Sequence, residues 1–287
     1  MRARFLYAGG SLTRLLEGGN ADGAPVLLLH PVGFSADVWF RVLPGLGQHL
    51  QIVAPDMLGH GFTDLYDSEG RIDHGAILKH LTALVDELGW SEFSVVGSSF
   101  GGQIAVLLAL LMPHRVNKLV VVGSGTALQT EAETVATLSR TFANAIAALE
   151  APTWESCRAR LSNLCFERDQ RHDEIILSQL TAYAREGAVR SYKSLLTAML
   201  DVDASRPYRV RERLVEVDAP ALLVWGREDP RASHQRAEDS LLLFKDARLV
   251  TFERCGHMPF LEHPDHFVET TCSFLTQPHA DLRRVTA

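Results

Sequence analysis

The sequence predicts an α/β fold with a mostly parallel central sheet and an all-helical block inserted into it. Short apolar runs alternate with helical patterns in the first and last parts of the 287-residue chain, as in strand–helix–strand units. The apolar runs are continuous, which is typical of strands that are covered on both faces. Between residues 126 and 208 the strand signals disappear and only helical patterns remain.

The first two predicted strands are joined by a Gly-Gly turn, and we expect them to form an antiparallel edge of the sheet. The other predicted strands are short and apolar, as expected for the buried part of a sheet. The eight strands are predicted at residues 4–7, 12–17, 25–30, 51–54, 93–96, 118–122, 221–225 and 249–252.

Helices are predicted where apolar residues recur at spacings of three and four. Residues 72–88 show this pattern, and Gly89 follows as the stop. The other predicted helices are 36–46, 101–111, 234–244 and 264–275, together with 131–149, 153–164, 173–185 and 189–199 in the inserted block. We therefore divide the chain into a core of residues 1–125 and 209–287 and a helical cap, residues 126–208, which we expect to lie over the carboxyl ends of the strands.

Charge and hydropathy exclude several classes of protein. The 28 Lys+Arg and 35 Asp+Glu give a formal net charge of -7, and no dense basic block is present, which argues against nucleic-acid binding. The longest apolar stretch inside a predicted helix, residues 104–112, is about half as long as a bilayer crossing needs. The start of the chain shows no export signal, so we expect a cytoplasmic protein. We expect it to act on a small molecule, and we leave open whether it forms a homo-oligomer.

The four cysteines, Cys157, Cys165, Cys255 and Cys272, form neither a CxxC pair nor a spacing with histidine that suits zinc. We expect them to be reduced structural thiols. The sequence predicts no metal site and no cofactor.

Residues 97–101, GSSFG, fit the pattern G-x-S-x-G between a predicted strand and a predicted helix. A sharp strand-to-helix turn requires glycines where the backbone passes close to the serine, and it aims the helix N-terminus at a negative oxygen. Ser99, at the centre of the motif, is the predicted nucleophile. Its rival Ser98 precedes the centre, so we expect its side chain to point away from the site.

A serine hydroxyl needs a base to become nucleophilic at neutral pH, and histidine suits that task. Among twelve histidines, His257 lies on the loop after the last predicted strand, at the sheet edge where Ser99 is expected. A carboxylate must orient that histidine. We predict Asp229, which follows the strand at 221–225, and keep the adjacent Glu228 as the alternative.

Backbone N–H groups must bind the oxyanion that forms during attack on a carbonyl. The N–H of Phe100, which follows the nucleophile, is the first predicted donor. The second lies in the loop after the third strand, where we predict Val32 with Gly33 as the fallback. Val32, Phe100 and Met258 are predicted to contact the substrate.

These motifs, in this order, resemble the α/β-hydrolase superfamily, and nearly the whole chain takes part in the resemblance. Residues 56–61, DMLGHG, are similar to the family turn D-x-x-G-x-G. Residues 256–264, GHMPFLEHP, resemble its G-H-x-P-x-x-E-x-P ending, in which only the histidine is catalytic. The resemblance implies a Ser99–His257–Asp229 triad, an acyl-enzyme intermediate and no cofactor.

Within the superfamily the chain is similar to capped esterases and to hydrolases that cleave carbon–carbon bonds in ring-fission products of aromatic degradation. The carbon–carbon hydrolases usually have Asn before the nucleophile and Trp after the histidine, whereas this chain has Ser98 and Met258. They also bind the substrate's acid group with a cap arginine, and the pattern matches neither Arg185 nor Arg190. We therefore rank ester hydrolysis first and carbon–carbon cleavage second. A ligand-binding receptor with weak or no turnover is the alternative from another class.

Overall fold

The computed structural model describes residues 1–168 and 172–277, without the side chain of Ala147. The end of the predicted second core segment, residues 278–287, lies outside this range. Eight strands form one sheet: β1 (Arg2–Ala8), β2 (Ser11–Gly19), β3 (Ala24–Leu29), β4 (Leu50–Pro55), β5 (Phe93–Ser98), β6 (Val116–Val122), β7 (Ala221–Gly226) and β8 (Ala247–Phe252).

The strand order is β1-β2-β4-β3-β5-β6-β7-β8. β1 pairs antiparallel with β2, and β2 pairs antiparallel with β4, which confirms the expected antiparallel edge. The remaining pairs are parallel, so the carboxyl ends of β3 to β8 meet at one edge of the sheet. All six residues of β5 and of β7 are buried, as their continuous apolar runs predict.

The helices, including several of a single turn, are α1 (Leu43–Leu46), α2 (His74–Glu87), α3 (Phe100–Leu111), α4 (Gly125–Leu128), α5 (Glu131–Glu150), α6 (Trp154–Ser162), α7 (Asp173–Tyr183), α8 (Ala188–Leu200), α9 (Val202–Ser205), α10 (His234–Ser240), α11 (Pro259–Glu262) and α12 (Pro264–Thr276). Four 3₁₀ segments lie at Ala36–Trp39, Arg206–Tyr208, Arg211–Glu216 and Leu241–Leu243. Between β6 and β7, the segment that the sequence predicts as the cap, the described residues contain helices and no strand.

Local chemistry fixes where α2 begins and ends. The helix starts at His74, two residues later than predicted, because the side chain of Asp73 accepts a hydrogen bond from Ala76 N at 2.8 Å and caps it. Gly89 follows with φ of 69°, a conformation that suits glycine and stops the helix.

The single helix predicted over residues 36–46 is wrong. The structure has a 3₁₀ turn at Ala36–Trp39 and a separate α1 at Leu43–Leu46. Pro44 has no N–H to continue a helix from the preceding turn, so the chain breaks before it. Likewise, the helix predicted over 234–244 ends at Ser240 and continues as a 3₁₀ turn.

Candidate active site

Ser99 occupies a strained turn between β5 and α3. Its backbone has φ of 53° and ψ of −119°, in the left-handed half of conformational space that residues with a side chain rarely adopt. A Cβ on Gly97 would lie 2.1 Å from the Gly101 carbonyl oxygen, and one on Gly101 would lie 2.3 Å from the Leu29 carbonyl oxygen. Both motif glycines are therefore required by close backbone contacts, as the sequence predicts.

Ser98 and Ser99 have different surroundings. Ser99 lines a cavity between the core and the cap, whereas Ser98 is fully buried and is not among the residues of that cavity wall. The hydroxyl of Ser124 donates to the Ser99 carbonyl oxygen at 2.5 Å and supports the turn. This geometry favours Ser99 over Ser98 as the nucleophile.

His257 lies on the loop between β8 and α11, and a buried glutamate holds this loop. Glu262 accepts hydrogen bonds from the N–H groups of Gly256 (3.0 Å) and Met258 (3.2 Å) on either side of the histidine. The N–H of His257 itself donates to the Leu164 carbonyl oxygen of the cap at 2.7 Å. The spacing of the glutamate in the GHMPFLEHP segment thus has a structural explanation.

Asp229 is the partner of His257. Its side chain is fully buried, and its Oδ2 lies 2.8 Å from His257 Nδ1. Oδ1 also accepts from the N–H groups of Arg231 (2.7 Å) and Ala232 (3.0 Å), which fix the carboxylate. The alternative, Glu228, is engaged elsewhere, since its Oε2 accepts from Cys255 N at 2.9 Å.

A carboxylate bound to Nδ1 places the proton there and leaves Nε2 as the basic nitrogen. Ser99 and His257 line the same cavity. Among the described residues, however, no hydrogen bond joins the Ser99 hydroxyl to the ring. Catalytic hydrogen bonds often shorten only when substrate is bound, so shared access to the cavity is the relevant geometry here.

The predicted oxyanion donors also meet at this cavity, because Val32 and Phe100 both line it. Within the described part of the chain neither N–H has a backbone acceptor. Phe100 begins α3, whose first N–H groups carry partial positive charge. The fallback residue, Gly33, has φ of 71° and is not among the residues of the cavity wall.

The cavity is small, with about 50 Å³ of space that a water-sized sphere can occupy. Its wall joins the core to the cap: Thr137, Leu138, Thr141, Asn144, Arg160 and Met199 come from cap helices or the turns beside them. The structure does not bring Met258, which the sequence predicts to contact substrate, to this cavity wall. Its side chain is fully buried in the core, and it is absent from the described cavity wall.

The cap arginines named from the sequence do not reach the cavity. Arg185 donates to the carbonyl oxygens of Gly61 and Thr63 in the core, and Arg190 is exposed on the outer surface of the cap. The structure instead brings Arg160, from α6, to the cavity wall. It is only 4% exposed.

Arg160 is held by neutral oxygen atoms. Nη1 donates to the Gly33 carbonyl oxygen (2.9 Å) and to the Tyr183 hydroxyl, and Nη2 donates to the carbonyl oxygen of Val32 (3.1 Å) and the hydroxyl of Tyr192 (3.4 Å). No ion pair of Arg160 occurs among the described residues. A buried guanidinium without a carboxylate is costly unless an anion joins it, so it points to an anionic ligand.

Sequence reasoning missed Arg160, although a signal was present. Cys157, Arg160, Leu161 and Leu164 repeat at spacings of three and four, and all four are buried. An arginine on the apolar face of a cap helix is the pattern that indicates a buried charge.

The four cysteines are buried and unpaired. Across residues 1–168 and 172–277, no group of three His, Cys, Asp or Glu side chains is arranged to hold a metal ion. In the same ranges, no helix has both the length and the apolar character that crossing a lipid bilayer requires.

Comparison with known proteins agrees with the fold. The chain is 30% identical, over 99% of its length and 94% of the relative, to a 2-hydroxy-6-oxo-6-(2'-aminophenyl)hexa-2,4-dienoic acid hydrolase from Metapseudomonas resinovorans. It is 28% identical to a 2-hydroxymuconate semialdehyde hydrolase from Pseudomonas sp. strain CF600, with 96% of this chain and 95% of the relative covered.

Among solved structures, a variant of the meta-cleavage product hydrolase from Pseudomonas fluorescens IP01 aligns with a TM-score of 0.77 and 26% identity, covering 94% of this chain and 96% of that one. The sequence pattern of the alpha/beta hydrolase fold family matches residues 24–264, which is most of the chain. The chain therefore belongs to the α/β-hydrolase fold family.

Proposed function

We propose that this protein is a serine hydrolase that cleaves a carbon–carbon bond in anionic ring-fission products of aromatic compounds. The relatives described above support this proposal, because one is named as a hydrolase of a dienoic acid, one as a 2-hydroxymuconate semialdehyde hydrolase and one as a meta-cleavage product hydrolase. Each of them covers nearly the whole chain. They favour the reading that the sequence ranks second over ester hydrolysis, which it ranks first. The substrate is then a small molecule with a carbonyl group and an acid group.

The observation that carries the proposal is Arg160, a buried guanidinium with no acidic partner in the cavity of Ser99 and His257. A simple neutral ester offers nothing to balance this charge. A dienoate has a carboxylate, and burial away from water makes its attraction to a guanidinium strong. Arg160 therefore supplies the cap arginine that the carbon–carbon hydrolases use.

In the proposed mechanism the dienol first becomes the ketone. Ser99 Oγ then attacks the carbonyl carbon, and its proton passes to His257 Nε2 while Asp229 stabilises the imidazolium. The N–H groups of Phe100 and Val32 bind the oxyanion. As the carbon–carbon bond breaks, its electron pair leaves on a stabilised carbanion, which takes the proton from His257. Water, activated by the same histidine, then hydrolyses the acyl-enzyme.

The test is a direct comparison of two substrate classes with purified protein. Bleaching of a coloured ring-fission dienoate and release of nitrophenol from short nitrophenyl esters each give kcat/KM. We expect the dienoate to be preferred by about 100-fold, a difference of about 2.7 kcal/mol in activation free energy. A preference for the esters would overturn the assignment in favour of an esterase. Turnover no better than that of Ser99→Ala on either class would favour a binding protein.

A further inference from the structure

A second arginine, Arg231, enters the cavity from a different wall. It lies two residues after Asp229, on the loop between β7 and α10, and it lines the cavity together with Ser99 and His257. Its N–H donates to Asp229 Oδ1 at 2.7 Å. This hydrogen bond fixes the backbone of Arg231 relative to the proposed catalytic groups.

The charge of Arg231 has no acidic partner that is free to balance it. In the described part of the chain its side chain takes part in no ion pair, and the carboxylate that acts on it is Asp229, which already binds His257. The arginines before and after it in sequence are paired, Arg227 with Glu253 and Arg236 with Glu133. Arg231, which is partly exposed, thus differs from these two arginines in having no ion pair among the described residues.

Other positive groups add to this imbalance. Burial lowers the pKa of Arg231, and the positive charges of Arg160 and Arg140 lower it further. Arg160 and Arg231 both line the cavity. One carboxylate on a substrate can pair with one of these guanidinium groups, and the other guanidinium then still lacks an acidic partner.

We propose that the substrate carries two anionic groups, one bound by Arg160 on the leaving part and one bound by Arg231 on the acyl part that Ser99 retains. This inference rests on the proposed function for the division of the substrate into these two parts. Arg231 is then a specificity-determining residue. Since the acyl part is released as a free acid, the second product is a dicarboxylate.

The test uses two matched pairs of substrates. The first pair is a ring-fission dienoate whose acyl chain ends in a carboxylate and the same compound with that carboxylate as its methyl ester. The second pair is the nitrophenyl monoester of a short dicarboxylic acid and its methyl ester. The variants are Arg231→Met, Arg231→Gln, the charge-conserving Arg231→Lys, and Arg190→Met as a control for an exposed arginine of the cap.

We expect the unmodified protein to prefer the anionic acyl group in kcat/KM by about tenfold or more, the typical effect of one charge-assisted hydrogen bond. Arg231→Met and Arg231→Gln should lose this preference, Arg231→Lys should keep most of it, and Arg190→Met should keep all of it. A preference that is unchanged in both neutral variants, or a preference of the unmodified protein for the neutral acyl group, would overturn the proposal.

Binding of the free product acid gives a second readout that needs no turnover and no variant. A short dicarboxylate should inhibit the unmodified protein more strongly than the monocarboxylate of equal length, and salt should reduce the difference. Equal inhibition by the two acids would contradict the role of Arg231. If neither dienoate is cleaved while the ester pair is, the carbon–carbon proposal fails, and the ester pair still decides what Arg231 does.

Discussion

Two adjacent carboxylates in the loop after β7 have different partners, and this difference distinguishes their roles. Asp229 binds the ring of His257, whereas Glu228 accepts from the N–H of Cys255 and so supports the loop that carries the histidine. A carboxylate on Nδ1 selects the tautomer in which Nε2 is basic, and an amide in its place can select the wrong one.

We expect Asp229→Asn to lower kcat on the preferred substrate by about 10⁴-fold, because the wrong tautomer then dominates. The matched control is Glu228→Gln, which keeps a hydrogen-bond acceptor for Cys255 and should retain far more activity. Steady-state kinetics of both variants, with circular dichroism to check the fold, tests this. Comparable losses in the two variants would argue that the loop, and not the Asp229 carboxylate, is what matters.

At the scale of elements, α6 connects the cap to the oxyanion loop through one side chain. Arg160 donates to the carbonyl oxygens of Val32 and Gly33 and lies over the ring of Phe34, with its carbon Cζ 4.5 Å from the ring centroid. These contacts orient the peptide groups next to the predicted oxyanion donor. The cap thereby contributes both charge and position to the site.

We expect Arg160→Met to lower kcat/KM for a dienoate by about 100-fold, because the substrate carboxylate then loses its hydrogen bonds to a charged group. The loss on a neutral nitrophenyl ester should be smaller, because only the positioning of the loop is affected. The free energy of unfolding should change little, since removing a buried charge relieves its desolvation and offsets the lost hydrogen bonds. Arg158→Met, an exposed position on the same helix, is the control.

Urea unfolding and kinetics on both substrate classes measure these effects. Equal losses on the dienoate and the ester would indicate that Arg160 acts only on the loop. Dienoate activity like that of the unmodified protein would contradict its role in binding an acid group.

The elements that were predicted well are those whose signals are local. Short apolar runs predict six of the strands, the Gly-Gly turn predicts the first two, and the GSSFG turn predicts the position of Ser99. Hydrophobic period and glycine sterics act over only a few residues. The break at Pro44 was missed because an apolar periodicity spans it. Arg160, Arg231 and the burial of Met258 depend on how the cap and the loops pack over the sheet, and this arrangement is set by contacts far apart in sequence.

For the whole molecule, the core contains several histidines that are buried in their neutral form. Burial is the main cause that lowers the pKa of His30, His74 and His80 to about 4 and that of His60 to about 3. His30 shows why the neutral form is needed. Its Nε2 accepts a hydrogen bond from Met57 N at 2.9 Å and would lose that bond on protonation.

These shifts predict a loss of stability in mild acid. A histidine whose folded pKa lies below its unfolded value of 6.5 binds fewer protons when folded, so stability is full above pH 6.5 and falls as the pH drops toward 4. At pH 5 each such histidine lowers the free energy of unfolding by on the order of 1–2 kcal/mol. Burial raises the pKa of Asp56, so this carboxyl group favours the folded state as the pH falls. The combined effect of the four histidines is larger than this opposing effect.

Urea unfolding at pH 7.5 and pH 5.0 measures this dependence. We expect a lower free energy of unfolding at pH 5.0, and a smaller difference between the two pH values in His80→Gln, because one buried base is then missing. Equal free energies at the two pH values would show that the histidines are not held neutral by the fold.

The central claim is that Ser99 forms a covalent acyl-enzyme at this site, and mass spectrometry of the protein quenched during turnover tests it most directly. We expect the peptide that contains Ser99 to gain the mass of the acyl part of the substrate, with no adduct and no turnover above background in Ser99→Ala. Turnover that persists in Ser99→Ala, or an adduct on a different residue, would contradict the account.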